Sequence, residues 1–327
     1  MIQQNSEQLM KQVNAYIEQL SYTREPKGLY APIEYVLGLG GKRLRPVLML
    51  LTYNLYRENV DQILPQAIGL ETFHNFTLLH DDVMDRADMR RGKPTVHVKW
   101  NDNAAILSGD AMVSLASQYM LQNCPNECLA SVMEAFVRAT LEVCEGQQWD
   151  MEFENRDNVT VDEYLEMIRL KTSALLAAPF EIGALLAGAS KEDVKKLYMF
   201  GEKLGLAFQL QDDYLDVYGD PAVFGKKIGG DICCNKKTFM LITAHERAQG
   251  ETKAELERWV AAEEFDRQEK IAAVTAIYNK EGIAEACLDK INRYYEEGLS
   301  YLDGVSVDAS LKQNLKEYVS ALMDRKL

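Results

Sequence analysis

Helix breakers are few in this chain, with 8 prolines and 20 glycines among 327 residues. They cluster between periodic stretches, at Arg24 to Lys27, Gly38 to Gly41, Arg91 to Pro94, Pro125, Asn155 to Asn158 and Gly219 to Gly230. No alternating apolar and polar run marks a strand, which argues against a sheet-based fold. Cations are outnumbered, 36 Lys and Arg against 50 Asp and Glu, and the net charge of -14 excludes nucleic acid as a partner by repulsion. An anionic substrate would be repelled as well, so it needs local cations or metal ions. The six cysteines show only a Cys124–Cys128 spacing and a Cys233-Cys234 pair, with no His or second Cys pair at zinc-finger distance. No secretory signal is recognisable, so reduced thiols and a cytoplasmic location are expected. Long hydrophobic runs are also missing. Ser173 to Ala189 comes nearest to a membrane span, but it holds Pro179, Glu181 and two glycines and reads as a buried helix instead.

What is present is helical periodicity, almost from end to end. It predicts an all-α fold of roughly ten or more helices. No Ser/Gly/Pro-rich linker or step in composition divides the chain, so residues 1–327 read as a single domain. Thr160 and Glu163 are spaced as a capping box at the start of a helix.

One acidic pattern occurs twice: Asp81-Asp82-Val83-Met84-Asp85 and Asp212-Asp213-Tyr214-Leu215-Asp216. Each follows an apolar stretch, where carboxylates are costly unless something cationic compensates them. On a helix the first and last Asp of each pattern share a face. Two such faces turned toward each other would make a cage of hard oxygen ligands, suited to Mg²⁺ carrying phosphate.

Basic groups accompany both patterns. Arg90 and Arg91 precede a Gly-Lys-Pro break where a helix is expected to end, and paired guanidinium forks match phosphate oxygens. Gly40-Gly41-Lys42-Arg43-Leu44-Arg45-Pro46 presents three cations after a flexible turn. Lys171-Thr172 lies on an apolar helix upstream of the second pattern. Gly225-Lys226-Lys227-Ile228-Gly229-Gly230-Asp231 and Asn235-Lys236-Lys237-Thr238 follow it. Taken singly, each group reads as a solvated helix end, a snorkelling lysine or a polar loop. Grouped beside acidic clusters, they read as the cationic half of a diphosphate site.

The two Asp-Asp-x-x-Asp motifs, with Gly-Gly-Lys-Arg-x-Arg-Pro and Asp-Met-Arg-Arg-Gly-Lys, resemble the trans-isoprenyl diphosphate synthase (polyprenyl synthetase) family. The motifs run from Gly40 to Lys237 in the family's order. The resemblance implies an all-α bundle around a deep central cavity, usually a homodimer. It implies head-to-tail condensation of isopentenyl diphosphate with an allylic diphosphate, whether dimethylallyl, geranyl or farnesyl. Asp81, Asp85 and Asp212 would be direct ligands of three Mg²⁺ ions, while Asp82, Asp213 and Asp216 would act through water or behind the ligands. Arg90, Lys171 and Lys226 would contact the allylic diphosphate, with Lys236 as a further cation and Lys227 an alternative to Lys226. Lys42, Arg45, His74 and Arg91 would hold isopentenyl diphosphate; without the match, His74 would read as a satisfied core histidine. Lys171, Thr172 and Gln209 resemble the family residues whose dipoles line the allylic cation, and Gln147 with Asp150 matches a further polar pair.

Product length is read upstream of the first motif. Phe76, five residues before Asp81, lies about 7.5 Å along a helix from it. In the family a bulky residue there acts as a floor, and Phe73 would block a second layer. Thr77 is small, and the first motif lacks the two-residue insertion of common bacterial farnesyl synthases. The combination points to geranylgeranyl diphosphate, then farnesyl diphosphate. Three rivals remain: a class I terpene cyclase, a non-catalytic subunit of a heteromeric synthase, and a structural helical protein binding Ca²⁺ loosely. The second Asp-Asp-x-x-Asp, the retention of both clusters, and the basic groups with no EF-hand spacing weigh against each in turn.

Overall fold

The computed structural model describes residues 4–220 and 228–324. The first helices are α1 (Ser6–Gln19), α2 (Lys27–Gly38), α3 (Leu44–Tyr53) and α4 (Leu64–Met84). A hairpin of β1 (Met89–Arg90) and β2 (Lys93–Pro94) leads to α5 (Val96–Lys99), α6 (Asp102–Leu121), α7 (Asn126–Glu154) and α8 (Val161–Ile168). A π-helical turn, Arg169–Ser173, joins α8 to α9 (Ala174–Ala187), followed by α10 (Lys191–Tyr218) and the short α11 (Gly230–Cys233). The last five are α12 (Phe239–Arg247), α13 (Gly250–Ala261), α14 (Arg267–Lys280), α15 (Ile283–Asp303) and α16 (Gln313–Met323). The all-α expectation holds, with the two-residue strands of the hairpin as the one sheet among the described residues.

Contacts gather the chain into two units, each discontinuous in sequence. One holds the chain through Thr140 with Ala178–Leu197 and Val305–Tyr318. The other holds Leu141–Ala177, Tyr198–Gly304 and the chain from Val319. This interleaving is why no linker marks a boundary.

The first unit is built around α4, against which α3 and α6 pack. From Leu64 to Phe73 every residue of α4 is buried, so this end is enclosed on all sides. Beyond it only Asn75, Leu79 and Asp82 stay buried, a single stripe at spacings of four and three. His74 and Asp81 fall on the less covered side, and Asp85 is exposed as the helix C-cap.

The apolar stretch that composition singled out, Ser173 to Ala189, belongs to the second unit as far as Ala177 and to the first from Ala178. Among the described residues, Val161–Ala187 alone is long and apolar enough to cross a membrane, yet most of it is buried within the protein. Thr160 and Glu163 form the expected capping box, Glu163 N–H donating to Thr160 Oγ1 at 3.2 Å and Thr160 N–H to Glu163 Oε2 at 2.9 Å. Thr160→Ala is expected to lower stability by about 1 kcal/mol, read from urea midpoints at unchanged m-value. Helix α10 is tied in at two places: Gln211 Nε2 donates to Met323 O at 2.8 Å, and the buried Cys287 thiol lies 3.7 Å from Leu210 O.

Candidate active site

In the first unit, α4 ends where the first acidic pattern begins. Asp81 is in the last helical turn, and Asp85 caps it, its N–H donating to Asp81 O at 2.8 Å. The two therefore keep their one-turn relation although the helix proper stops at Met84. Arg90 and Arg91 depart from the expectation of a helix end: Arg90 closes β1 and Arg91 opens the two-residue turn of the hairpin. Such a turn needs positive φ at both central residues, and Arg91 at 52° and Gly92 at 72° supply it. Arginine is an uncommon choice there, and its position is held by what its side chain does. Its guanidinium donates to Gly40 O and lies so close over Gly41 that a Cβ there would stand 2.9 Å from Arg91 Cζ. Gly41 itself sits at φ 136°. Gly41→Ala is therefore expected to displace the Arg91 guanidinium and strain the loop, lowering stability by about 1–3 kcal/mol, read from thermal unfolding.

Arg90 turns back onto the acidic pattern. Its Nε lies 2.9 and 2.8 Å from the two oxygens of Asp82, and its Nη2 is 2.8 Å from Oδ1. Asp82 is buried. It thus serves as the counter-ion of Arg90, which fits a place behind the metal ligands.

His74 is the first residue past the enclosed part of α4. Burial, then the charges of Arg45, Arg91, Arg90 and Arg43, hold its imidazole well below the usual range. It is a neutral ring among guanidinium groups. Burial also lowers Arg45 to about 10, opposed by Glu71, and Arg45 Nε is buried without a hydrogen-bond partner. An unpaired buried guanidinium nitrogen beside other arginines is an unfinished anion site. Lys42 is exposed on the adjoining loop. Two members of this group were not foreseen in their roles: Arg43, read only as one of three presented cations, and Glu71, which the sequence reading passed over. Both are buried, and Arg43 Nη1 donates to Glu71 Oε1 at 2.8 Å. The signal available was Glu71 itself, a carboxylate in an otherwise enclosed stretch.

Upstream on α4, Phe76 is half-buried between Phe73 (ring centroids 5.2 Å apart) and His80 (4.6 Å). Phe73 is fully buried and meets Phe136 edge-on at 5.9 Å. Thr77 donates its hydroxyl to His74 O at 2.8 Å, so its polar atom is satisfied within the helix.

In the second unit, Lys171 and Thr172 lie in a π-helical turn within the apolar helical stretch expected there. π-Turns inside helices often mark functional positions, because the extra residue re-aims side chains. The turn runs so close to α7 that a Cβ on Gly146 would overlap the backbone of Lys171. Lys171 Nζ reaches Asp150 Oδ2 at 2.5 Å, and Lys236 Nζ lies 3.9 Å from the same oxygen. Gln147 is half-buried one turn before Asp150 on α7. Thr172 Oγ1 donates to Gln209 Oε1 at 2.9 Å, and Gln209 Nε2 donates to Asp213 Oδ1 at 3.0 Å. The buried Tyr164 donates to the other oxygen of Asp213. Burial, then the charge of Asp231, pushes Asp213 up to about 7, against the opposing bonds from Tyr164 and Gln209. Asp216 Oδ2 accepts from Asp231 N–H at 3.0 Å and so caps the first turn of α11. Asp212 is half-buried at the start of this pattern. Lys226 and Lys227 lie outside the described residues. Tyr164 was the missed residue here, and its signal was faint: it stands seven before Lys171, as His74 stands seven before Asp81.

No three His, Cys, Asp or Glu side chains converge as a ready-made metal cage among the described residues. That suits Mg²⁺, which takes one or two carboxylates and completes its shell with substrate phosphate and water. The carboxylate oxygens of Asp81, Asp85 and Asp212 are hard donors of the kind Mg²⁺ takes.

The comparisons agree. The family model described as Polyprenyl synthetase matches residues 26–278. The geranylgeranyl diphosphate synthase of Methanosarcina mazei is 44% identical over 237 residues, 72% of this chain and 73% of its own. A crystal structure of a geranylgeranyl pyrophosphate synthase superposes with a TM-score of 0.94 at 42% identity, covering 99% of this chain and all of that one. The Corynebacterium glutamicum geranylgeranyl pyrophosphate synthase, solved with isoprenyl diphosphate and magnesium, superposes at 0.84 with 28% identity over 98% of both chains. Relatives named as farnesyl and geranylfarnesyl diphosphate synthases also occur. The chain belongs to the polyprenyl synthetase family: it is a prenyltransferase that makes short-chain prenyl diphosphates.

Proposed function

We propose that this enzyme condenses isopentenyl diphosphate head to tail with an allylic diphosphate to give geranylgeranyl diphosphate, acting as a homodimer. The observation that carries the reading is the unfinished cationic group around His74, with the unpaired Arg45 Nε at its centre. A terpene cyclase or a regulatory subunit has no use for a second diphosphate site.

Asp81, Asp85 and Asp212 would hold the three Mg²⁺ ions that the family resemblance implies, which when bound would supply positive charge to the departing pyrophosphate. Arg90 and Lys171, with Lys236, add fixed positive charge to the same group. Arg90 remains paired with Asp82, which orients its fork. Thr172 and Gln209 offer a hydroxyl and an amide dipole to the allylic cation, and the Gln209–Asp213–Tyr164 bonds keep that amide from rotating. Neither group competes with the double bond as a nucleophile. Lys42, Arg45 and Arg91 hold isopentenyl diphosphate so that its double bond attacks the cation. The neutral His74 donates a hydrogen bond there without taking a proton from the reaction. The departing pyrophosphate accepts the proton that is lost. Exposed apolar side chains at Ile106, Leu107 and Val137 in the first unit offer a face for the second copy.

The test is incubation of purified protein with Mg²⁺, labelled isopentenyl diphosphate and dimethylallyl, geranyl or farnesyl diphosphate in turn, read by product chromatography. Twenty-carbon product is expected, and EDTA should abolish it. Cyclic hydrocarbon from an allylic diphosphate alone, or no elongation with any primer, would overturn the proposal. Tyr164→Phe is expected to lower kcat about tenfold at unchanged allylic KM, because Asp213 loses one of its two donors and Gln209 becomes free to turn.

A further inference from the structure

Arg43 is a cation within the basic Gly-Gly-Lys-Arg-x-Arg-Pro segment, but its side chain is already fully engaged. It is buried at φ 46°, capping the start of α3. Its Nη1 donates to Glu71 Oε1 at 2.8 Å, its Nη2 to Leu37 O at 2.8 Å, and its Nε lies 3.3 Å from Asn14 Oδ1. One guanidinium thus fastens α1, the end of α2 and α4 to the loop that carries Lys42. Glu71 is enclosed and shares Oε1 with Asn75 Nδ2 at 3.2 Å. The charge of this single carboxylate is also felt by Arg45 and Arg91.

We infer that Arg43 and Glu71 are a positioning pair for the isopentenyl diphosphate site: they touch no substrate but fix the backbone of Gly40 to Arg43, against which Arg91 and Lys42 are set. The inference rests on the proposed function. Three links carry it. Arg91 is anchored by donating to Gly40 O and packing on Gly41, so its place depends on that loop's backbone. The loop has positive φ at Gly40, Gly41 and Arg43, a conformation that free chains leave readily unless it is held. Within that stretch the Arg43 side chain makes three hydrogen bonds, to Asn14, Glu71 and Leu37 O, on three different helices. Glu71 also offsets cation repulsion within a group that would otherwise hold four guanidinium groups around a neutral histidine.

A stabilising role alone and a positioning role separate in two variants. Replacing both members, Arg43→Met with Glu71→Leu, removes the buried pair without leaving an unpaired charge, and such replacements commonly keep stability. Arg43→Lys keeps the ion pair with Glu71, but an ammonium point charge cannot match the fork that also reaches Leu37 O and Asn14. Each variant is measured for Tm, for KM of isopentenyl diphosphate and for KM of the allylic primer. The expected result in both is a KM for isopentenyl diphosphate raised about tenfold or more, with the allylic KM within twofold, whatever the change in Tm. A native KM for isopentenyl diphosphate in either folded variant overturns the inference, as does an equal rise in both KM values. If the double replacement does not fold, Arg43→Lys decides by the same criterion. Absence of elongation by the unsubstituted enzyme would count against the proposed function, not against the pair.

Discussion

Asp81→Ala is expected to lower turnover by about 10³-fold or more at saturating Mg²⁺ and substrates, a loss of several kcal/mol of transition-state stabilisation. The helix should survive. It is the backbone carbonyl of Asp81, not its carboxylate, that closes the last turn of α4 by accepting from Asp85 N–H. Burial of α4 from Leu64 to Phe73 lies at the other end of the helix. Circular dichroism should therefore stay native while product formation collapses. Asp82→Ala should behave differently: it leaves Arg90 without its partner and the buried site without its anion, so thermal stability falls together with activity. Near-normal Mg²⁺-dependent turnover in Asp81→Ala would remove this residue from the metal site.

Phe76→Ala is expected to lengthen the product. The ring of Phe76 is half-buried, bracketed by His80 and Phe73, and the fully buried Phe73 is in turn backed by Phe136. Truncation opens one layer of that stack and leaves the next intact. Phe73 lies three residues further along α4, about 4.5 Å by helical rise, which is room for about one more five-carbon unit. Geranylfarnesyl diphosphate should appear beside geranylgeranyl diphosphate, and the double variant with Phe73→Ala should extend further. Thr77→Phe should shift the product toward farnesyl diphosphate. Chromatography of products from labelled isopentenyl diphosphate and farnesyl diphosphate reads all three. An unchanged distribution in Phe76→Ala would show that the floor lies elsewhere.

The helices, the capping box at Thr160 and the buried nature of the Ser173 to Ala189 stretch were legible because they depend on local periodicity and neighbouring side chains. The hairpin that holds Arg90 and Arg91 was not. Strands of two residues carry no alternation, and a positive φ at an arginine has no compositional mark. The π-helical turn at Lys171 was hidden for a similar reason, since the backbone it packs closely against, at Gly146, is on another helix. The burial of Arg43, read only as a presented cation, and the roles of Glu71 and Tyr164 escaped notice because they depend on partners distant in sequence. Glu71 is 28 residues from Arg43, and Tyr164 is 49 from Asp213.

Sequence alone determined which chemistry this protein performs. Two clusters of hard oxygen ligands, each with its own cations, are a matter of residue type and order, and charges that must be compensated declare their own ligand. Tertiary structure decided which of those charges are spent on one another. Asp82 belongs to Arg90, Asp150 to Lys171, Asp213 to Tyr164 and Gln209, and Glu71 to Arg43. The reason is that burial makes an unpaired charge costly at short range, and range is set by packing, which periodicity does not encode.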